Sequence, residues 1–475
     1  MPNTMPPASS ASSPVLIPLI VASAFFMQVL DGTIIGTSMP QMAESFGVQA
    51  VDLSLGITVY MLFVAVFIPA SGWLADRHGA RNVFALAIGV FTLASLACGA
   101  AESLPQFIAA RALQGIGGAL MTPVGRLVVL RNTTKAGLLQ ATALITWPAL
   151  IAPVFGPALG GFITTYASWR WNFLLNIPIG LAGIVLVLRY IPNVRDVPRS
   201  FDLKGFVLSG GALACLLYGL ESVSHAAAAP AHAAALCVAG CVLGVLAVRH
   251  FRRAATPLLD LSPFAFATFT QSTLGAGFGC RIAISATPFL LPLLFQLGFG
   301  LTPWASGLLL LAYFGGNLGM KTVTTPLLRR FGFRRVLVGN GVAGALAIAA
   351  CGMLTPATPH WLMVAVLVLA GLTRSMQLTA LSTITFADTT PAQRSAASTL
   401  SSMLQQVSMV LGVAAGALLL RLPQAWQVEG QVPLVEVHFR IAFAAVGLIG
   451  LLSALHFLRL RPDAGAEVSG HAVAN

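Results

Sequence analysis

The stretch Phe25–Gly36, FFMQVLDGTIIG, contains a single charged residue, Asp31, within an apolar run that begins at Val15. A run of this length is sufficient for a transmembrane helix. A carboxylate at membrane depth is energetically costly, and by default it marks a path for an ion, a proton or a substrate. The alternative is a carboxylate near a helix end that reaches the lipid headgroups. Asp31 is therefore the first candidate functional residue.

The composition extends this conclusion from one segment to the whole chain. Of the 475 residues, 57% are hydrophobic and only 8% are charged, and the mean hydropathy is +0.86. Soluble domains contain about 25% charged residues, so the sequence predicts an all-α, multi-pass membrane protein. The net charge of +12 does not indicate nucleic-acid binding, because the basic residues lie in short loops between apolar spans.

Apolar segments of about 20 residues, the length that crosses a bilayer, recur along the chain and predict fourteen transmembrane helices. Most Lys and Arg residues fall in alternate loops between these segments, which predicts cytoplasmic N- and C-termini. The predicted spans are 15–37, 51–72, 83–101, 105–126, 138–163, 172–191, 205–221, 232–249, 266–296, 304–327, 336–354, 361–385, 396–420 and 441–458.

An internal repeat divides the predicted helices into two groups. Residues 156–160, GPALG, match residues 412–416, GVAAG, and the loop 76–83 matches the loop 329–336. Two six-helix bundles related by an axis along the membrane normal would explain this repeat. The seventh and eighth helices are then two extra central helices. The expected domains are a cytoplasmic tail at 1–14, bundles at 15–194 and 261–460, a linker with the extra helices at 195–260, and a second tail at 461–475.

Four motifs follow one another in the first half of the chain. They are LDGTIIGTSMP at Leu30–Pro40, GWLADRHGAR at Gly72–Arg81, RALQGIGGA at Arg111–Ala119 and APVFGPALGG at Ala152–Gly161. With these motifs the chain resembles the major facilitator superfamily. Within that superfamily it is similar to the fourteen-span drug:proton antiporters of the EmrB/QacA type, nearest to their MdtD branch. The resemblance extends from about Val15 to His456.

The resemblance implies roles for the motif residues. The aspartate of the first motif serves proton coupling in this group, which implies that role for Asp31. The second motif forms a gate on the cytoplasmic side, although Ala80 stands where a basic residue is usual; the gating residues are Gly72, Asp76, Arg77, Gly79 and Arg81. The fourth is the motif of antiporters, which distinguishes exporters from uptake systems; its residues are Pro153, Gly156, Pro157, Gly160 and Gly161.

Simpler interpretations of two motifs stay open. The loop Gly72–Arg81 alone also fits a positive-inside topology signal, in which Gly72 suits close helix approach and Gly79 a tight turn. The glycines at 156–161 also fit ordinary helix packing, and the prolines there permit a bend.

Asp31 and Arg111 lie at matching depths. Each is about six residues from the outer end of its predicted span, or about 9 Å at 1.5 Å per residue. Either charge would be costly if it were buried without a partner, so we expect the two to pair, directly or through water. Protonation of Asp31 would loosen the pair, as antiport needs. Gln28 and Gln114 lie one turn away and are expected to complete the network.

Two further arginines, Arg281 and Arg374, lie about 20 Å into their spans, near the midplane. They belong to the seventh and tenth helices of the twelve-helix core, which line the central cavity in this superfamily. The excess of positive charge favours an anionic or zwitterionic substrate; alternatively, helix carbonyls cap both arginines. The residues expected in the substrate cavity are Gln28, Gln114, Arg281, Arg374 and Gln377.

The sequence therefore predicts a proton-coupled antiporter, not an enzyme, that exports small organic molecules across the bacterial inner membrane by alternating access, as in multidrug efflux. An alternative is an exporter of an anionic metabolite, such as an organic acid or its metal chelate. A membrane-embedded sensor or channel is a rival of another class. Without a phosphate loop, catalytic triad or metal-ligand spacing, we expect no cofactor or metal. The expected partners are substrate, protons and the lipid bilayer, with no nucleic acid and no obligate protein partner.

Overall fold

Long apolar helices form the protein in the computed structural model, which describes residues 15–133, 138–193, 200–223, 230–390, 393–425 and 436–469. These residues contain no strand. Among them, eleven helices are long and apolar enough to cross a membrane, and shorter apolar helices lie at Leu150–Tyr166 and Leu203–Gly219. The predicted tail 1–14, the boundary at 194–195 and residues 470–475 lie outside the described residues.

One helix corresponds to each predicted span. The helices are α1 (Leu16–Phe46), α2 (Ser54–His78), α3 (Ala80–Gly99), α4 (Leu104–Asn132), α5 (Leu138–Tyr166), α6 (Asn176–Tyr190), α7 (Leu203–Val223), α8 (Pro230–Phe251), α9 (Ala276–Leu293), α10 (Pro303–Gly319), α11 (Thr324–Gly352), α12 (His360–Ile384), α13 (Arg394–Ala425) and α14 (Glu436–His456). Short helices at Trp171–Leu174 and Ala267–Thr273 precede α6 and α9. The architecture fits the fourteen predicted spans, and the number that crosses the membrane stays a prediction.

Two helices extend furthest beyond their predicted bounds, whereas α9 and α10 are shorter than predicted. α1 continues past 37 and ends where Gly47 adopts a left-handed conformation, with φ 67°. The prediction stopped too early because the last turns carry polar residues that extend beyond the apolar core. α11 includes residues assigned to a loop, with a sharp change of direction at Gly332, where φ is 73°.

The two halves, α1–α6 and α9–α14, pack by the same plan. In the first half α1 packs against α5 and α6, while α4 packs against α2 and α3; α9 repeats this arrangement with α13 and α14, and α12 with α10 and α11. The matched loops also share a left-handed glycine, because Gly79 has φ 89° and Gly332 has φ 73°. The internal repeat predicted from the sequence is therefore confirmed, as are two six-helix bundles.

The inserted helices α7 and α8 pack against each other. α7 also contacts α2 and α13, so the pair lies beside one of the two main contacts between the halves. At that contact Leu217 of α7 joins Leu62 and Val410 in a small hydrophobic cluster. The other main contact between the halves is made by α5 and α10.

The halves meet most closely at one end, which we call the Asp52 side because α2 begins there. A single hydrophobic cluster at this end contains side chains of both halves, including Met42 and Leu293. Gln296 also donates to the carbonyl of Thr37 at 2.9 Å, and Arg421 pairs with Asp52. At the opposite end, the Asp76 side, two further clusters keep to one half each. The space between the halves is therefore closed at the Asp52 side.

Candidate functional site

Asp31 lies midway along α1 and forms a buried ion pair. Arg111 on α4 donates from Nη1 to Oδ2 of Asp31 at 2.7 Å. Both residues are buried, with Asp31 1% exposed and Arg111 0% exposed. The pair expected from the sequence, directly or through water, is therefore present as a direct contact, even though α1 extends well beyond the end from which its depth was counted.

Two amides complete the hydrogen bonding of this carboxylate. Gln114 Nε2 and Asn176 Nδ2 both donate to Oδ1 of Asp31, at 2.8 and 3.1 Å. The same amides donate to the hydroxyl of Ser95 on α3, at 2.8 and 3.2 Å. All three groups that face the carboxylate, the guanidinium and the two amides, are donors. An ionised carboxylate can therefore accept all of these hydrogen bonds without any rearrangement of the site.

Ser95 and Asn176 are absent from the residues predicted for this site. A signal for them was present in the sequence, because each is a polar residue within an apolar span. Each also lies within a few residues of the helix end on the Asp52 side, as Arg111 does. That is the end from which the depth of Arg111 was counted. Comparing the depths of all intramembrane polar residues, rather than of charged ones alone, would have found both.

A cavity of about 390 Å³ lies between the two halves, beside this network. Most of its lining is apolar, and Gln28, Asn317 and Gln406 add polar groups while Lys321 and Arg374 add positive charge. The cavity reaches toward the Asp76 side at Lys321, whose side chain is exposed. Among the described residues that line it there is no carboxylate. Asp31 therefore belongs to the wall behind the cavity and not to its surface.

The predicted cavity glutamines occupy three different environments. Gln28 lines the cavity, donates to the carbonyl of Gly118 at 3.1 Å and accepts from Thr122 at 3.0 Å. Gln114 belongs to the Asp31 network and lies outside the cavity lining. Gln377 accepts from the Asn340 amide at 2.9 Å and borders a separate space of about 30 Å³ inside the second half.

The two midplane arginines point in different directions. Arg374 lines the cavity, with its guanidinium 5.3 Å from the ring centroid of Phe314. Its Nε is buried without a hydrogen-bond partner in the part of the chain that the structure describes. Arg281 is 3% exposed, lies outside the cavity lining and donates to the carbonyl of Ser272. This contact favours the alternative considered for Arg281, in which its guanidinium caps a helix carbonyl. That carbonyl lacks an intrahelical partner because the helix is interrupted just before α9.

The charged residues Asp76, Arg77 and Arg81 of the second motif, Gly72–Arg81, contact their own half in this conformation, while Trp73 packs against Phe201 of the linker. Asp76 accepts from Arg131 Nη2 at 3.2 Å, and the Arg77 guanidinium lies 5.1 Å from the ring of Trp73. Arg81 Nε donates to the neighbouring Asn82 at 3.2 Å. The tight turn expected at Gly79 is confirmed by its φ of 89°. The close approach expected at Gly72 is wrong for this conformation, since a Cβ there would meet no atom within 4 Å.

The glycines of the fourth motif bring α5 close to two different helices. A Cβ on Gly156 would overlap the side chain of Thr33 on α1, and one on Gly160 would lie 2.8 Å from the carbonyl oxygen of Ile34. A Cβ on Gly161 would instead overlap the backbone at Pro303, where α10 of the other half begins. Pro153 and Pro157 line the cavity. The motif therefore packs within its half and across the interface between the halves.

Comparison with known proteins agrees with this fold. The family model of the Major Facilitator Superfamily matches residues 21–248 and 273–473. The chain is 38% identical over 452 residues to a provisionally named multidrug resistance protein, MdtD, of Escherichia fergusonii, covering 95% of each chain. The corresponding Klebsiella pneumoniae protein is also 38% identical over 452 residues, covering 94% of this chain and 95% of that one.

Solved structures show the same fold at low sequence identity. The peptide transporter PepTSo, of the POT family, has a TM-score of 0.69 at 12% identity, covering 97% of this chain and 99% of that one. A mutant of the nucleoside transporter NupG has a TM-score of 0.65 at 13% identity, covering 93% of this chain and 99% of that one.

Two helical bundles enclose a mostly apolar cavity with a buried charge pair in its wall, and the matched family model and relatives identify the protein as a transporter and not an enzyme. The chain belongs to the Major Facilitator Superfamily. The resemblance to its MdtD branch, expected from the four motifs, is confirmed by the 38% identity.

Proposed function

We propose that this protein is a proton-coupled antiporter of the multidrug efflux type, in which Asp31 carries the coupled proton. The observation that supports this most directly is the buried Asp31–Arg111 pair in the wall of a cavity that is closed at one end. A carboxylate in this position is the kind of group that proton-driven transporters use. The multidrug part of the proposal comes from the names of the MdtD relatives.

The hydrogen bonds around Asp31 suggest how protonation changes the site. A protonated carboxyl needs an acceptor for its O–H, whereas the three groups now facing it are donors. Protonation therefore forces a rearrangement, in which the Ser95 hydroxyl or the Gln114 amide oxygen becomes the acceptor. Arg111 loses its charged partner at the same time. Since an unpaired buried charge is unfavourable, the helices that hold it are driven toward another arrangement.

Transport then proceeds by rocking of the units 15–194 and 261–460 about the central cavity. We place the Asp76 side in the cytoplasm of a bacterial inner-membrane protein, with both termini on that side, because most basic residues lie in its loops. In the present conformation substrate enters from the Asp76 side. When the protein opens at the Asp52 side, substrate leaves and a proton binds Asp31. Residues Gly72–Arg81 latch the halves when the Asp76 side is closed.

The proposal is tested in proteoliposomes loaded with a pH-sensitive dye. Tetraphenylphosphonium and ethidium represent lipophilic cations, and benzoate and citrate represent organic anions. The wild type should move protons against at least one of these probes, and Asp31→Asn should abolish that proton flux. Asp260→Asn is the matched control, since this exposed carboxylate accepts hydrogen bonds from the backbone and hydroxyl of Ser262, two residues away, and lies far along the chain from the Asp31 network. Proton-driven transport at the wild-type rate in Asp31→Asn would exclude Asp31 as the coupling site.

The charge of the cavity supports a second candidate, export of an anionic metabolite. Arg374 and Lys321 line the cavity, and among the described lining residues no carboxylate balances them. If the substrate is an anion, Arg374→Gln should raise its KM about tenfold, as the loss of a hydrogen bond to a charged group predicts. The same substitution should leave the KM of a cation unchanged or lower. Arg281→Gln is the comparison, because Arg281 lies outside the cavity lining.

A further inference from the structure

The proposed proton site and the substrate cavity do not share a surface. Asp31 and Arg111 are at most 1% exposed, and both lie outside the cavity lining. Substrate in the cavity cannot touch the carboxylate directly. Coupling between the two sites therefore requires a side chain that contacts the charge pair on one side and faces the cavity on the other.

Tyr60 on α2 meets this requirement. The Arg111 guanidinium lies 4.3 Å from the centroid of its ring, which is the geometry of a cation–π contact. Tyr60 also lines the cavity, next to Gln28. The tyrosine thus forms part of the wall between the two sites.

The close packing of α2 and α4 keeps the Tyr60 backbone in place. A Cβ on Gly115 would lie 2.5 Å from the carbonyl oxygen of Tyr60, and one on Gly118 would lie 2.9 Å from its hydroxyl oxygen. Because the two helices touch at these glycines, the backbone of Tyr60 has little freedom to retreat. A displacement of the Arg111 guanidinium is therefore passed to the ring, and through the ring to the cavity.

The internal repeat contains a second tyrosine–arginine contact with a different partner. Tyr313 on α10 packs its carbonyl against Gly371, as Tyr60 does against Gly115. The guanidinium near Tyr313 belongs to Arg374, at 5.6 Å, and this arginine faces the cavity instead of a buried carboxylate. The repeat therefore provides a natural comparison: a tyrosine in a similar packing environment that has no contact with the proton site.

We propose that Tyr60 is the positioning residue that couples the protonation of Asp31 to the conformation of the substrate cavity. This inference rests on the proposed role of Asp31. When Asp31 is ionised, Arg111 is held by the carboxylate. When Asp31 is protonated, the guanidinium keeps the Gln114 amide oxygen, the Gly56 carbonyl and the ring of Tyr60 as partners. Of these three groups the ring is the one that lines the cavity, so a movement of the guanidinium with the ring reaches the cavity wall. The movement changes the cavity wall and favours a different packing of the two halves.

A substrate-independent experiment tests this. Met42, 0% exposed within the cluster that closes the Asp52 side, is replaced by cysteine. A membrane-impermeant methanethiosulfonate reagent is applied to this side between pH 5.5 and 8, and a parent without Met42→Cys measures the background. Because these reagents attack the thiolate, each rate is divided by that of a reference cysteine at the exposed position Glu44 (Glu44→Cys), which cancels the rise in thiolate with pH. In the wild-type background this normalised labelling rate should change with pH, because protonation of Asp31 alters the fraction of molecules open at this side.

Tyr60→Leu should reduce the pH-dependent change in labelling about tenfold, the size expected from loss of a desolvated cation–π contact. Tyr60→Phe, which keeps the ring, should restore it. Tyr313→Leu is the matched control: because Tyr313 belongs to the cluster that closes the Asp52 side, the substitution should change the labelling rate by the same factor at every pH and leave its pH dependence intact. Tyr60→Met fills a similar volume and provides a second test if Tyr60→Leu does not fold.

Each result bears on a separate claim. Wild-type pH dependence in Tyr60→Leu and Tyr60→Met would overturn the role of Tyr60, and so would failure of Tyr60→Phe to restore it. A pH dependence that survives in Asp31→Asn would overturn the proposed role of Asp31. Absence of any pH dependence in the wild-type background would overturn both.

Discussion

The ion pair between Asp31 and Arg111 predicts a characteristic pattern of stability in a double-mutant cycle. Asp31→Leu leaves the Arg111 guanidinium buried at 0% exposure without its carboxylate, and Arg111→Met leaves the carboxylate without its guanidinium. Removing one partner of a buried pair costs about 3–5 kcal/mol. For a unit of roughly 180 residues, about 2–4 °C per kcal/mol gives a decrease in Tm of about 10 °C for each single variant.

The double variant should be more stable than either single variant. Without either charge, the unfavourable burial of an unpaired ion is absent, and replacement of a buried pair by apolar side chains is often neutral. Gln114 and Asn176 still lose the carboxylate as acceptor, but both keep the hydroxyl of Ser95. Loss of part of their hydrogen bonding costs about 1–3 kcal/mol, so the double variant should melt about 2–12 °C below the wild type.

Two buried cysteines allow each half to be followed separately with a fluorogenic maleimide. Cys98 lies in the first half, 3.7 Å from the Gln114 amide oxygen, while Cys351 lies in the second half, and both are 0% exposed. The variants are made in two background proteins, one that keeps only Cys98 and one that keeps only Cys351. The decrease in Tm should be larger when it is measured from the labelling of Cys98 than from that of Cys351. A double variant no more stable than the worse single variant would refute the reasoning, as would single variants within 2 °C of wild type.

Two further predictions concern the ends of the helices. Asp52→Asn removes the ion pair with Arg421 between the halves, which contributes about 1 kcal/mol. It should therefore raise the labelling rate of Met42→Cys about fivefold. The control Glu44→Gln, at an exposed position, should leave that rate unchanged. Burial raises the pKa of the Asp202 carboxyl, but hydrogen bonds from Gly205, His250 and Leu258 outweigh it and hold that pKa below its ordinary value. Its contribution to stability is therefore complete at neutral pH and is lost as pH falls through the folded-state pKa. Asp202→Asn should lower Tm at pH 7, and a difference that persists in acid below both pKa values would contradict this.

The features that the sequence could predict are those that depend on length and depth. The bilayer imposes about 20 apolar residues on each spanning helix, so the order of the helices follows from hydropathy alone. The rise of a helix is fixed, so the depth of a residue can be counted from a helix end. For Asp31 the count was made from the end of the apolar run near residue 37 and not from the helix end at Phe46. With that reference it was sufficient to pair Asp31 with Arg111, and it would have been sufficient to add Ser95 and Asn176.

Rotation about the helix axis could not be predicted in the same way. Arg281 and Arg374 have similar predicted depths, yet one donates to the carbonyl of Ser272 and the other lines the cavity. The direction of Arg281 depends on a break near Gly275 that makes a carbonyl available, and hydropathy does not register such a break. Gln28 and Gln114 illustrate the same difficulty, because each lies one turn from a charge but only Gln114 joins the network.

The repeat also explains why a symmetric scaffold can support an asymmetric process. Both halves place a tyrosine of the second helix beside an arginine of the fourth. In the first half the arginine is neutralised by Asp31 and buried, so its charge changes the structure only when the carboxylate changes. In the second half Arg374 faces the cavity beside Lys321, and its Nε has no hydrogen-bond partner in the described chain. On the proposed roles, a proton therefore acts on the first half and substrate on the second. The two halves contact each other mainly between α5 and α10 and between α2 and α13. Protonation in the first half and substrate binding in the second half must therefore influence each other through these contacts.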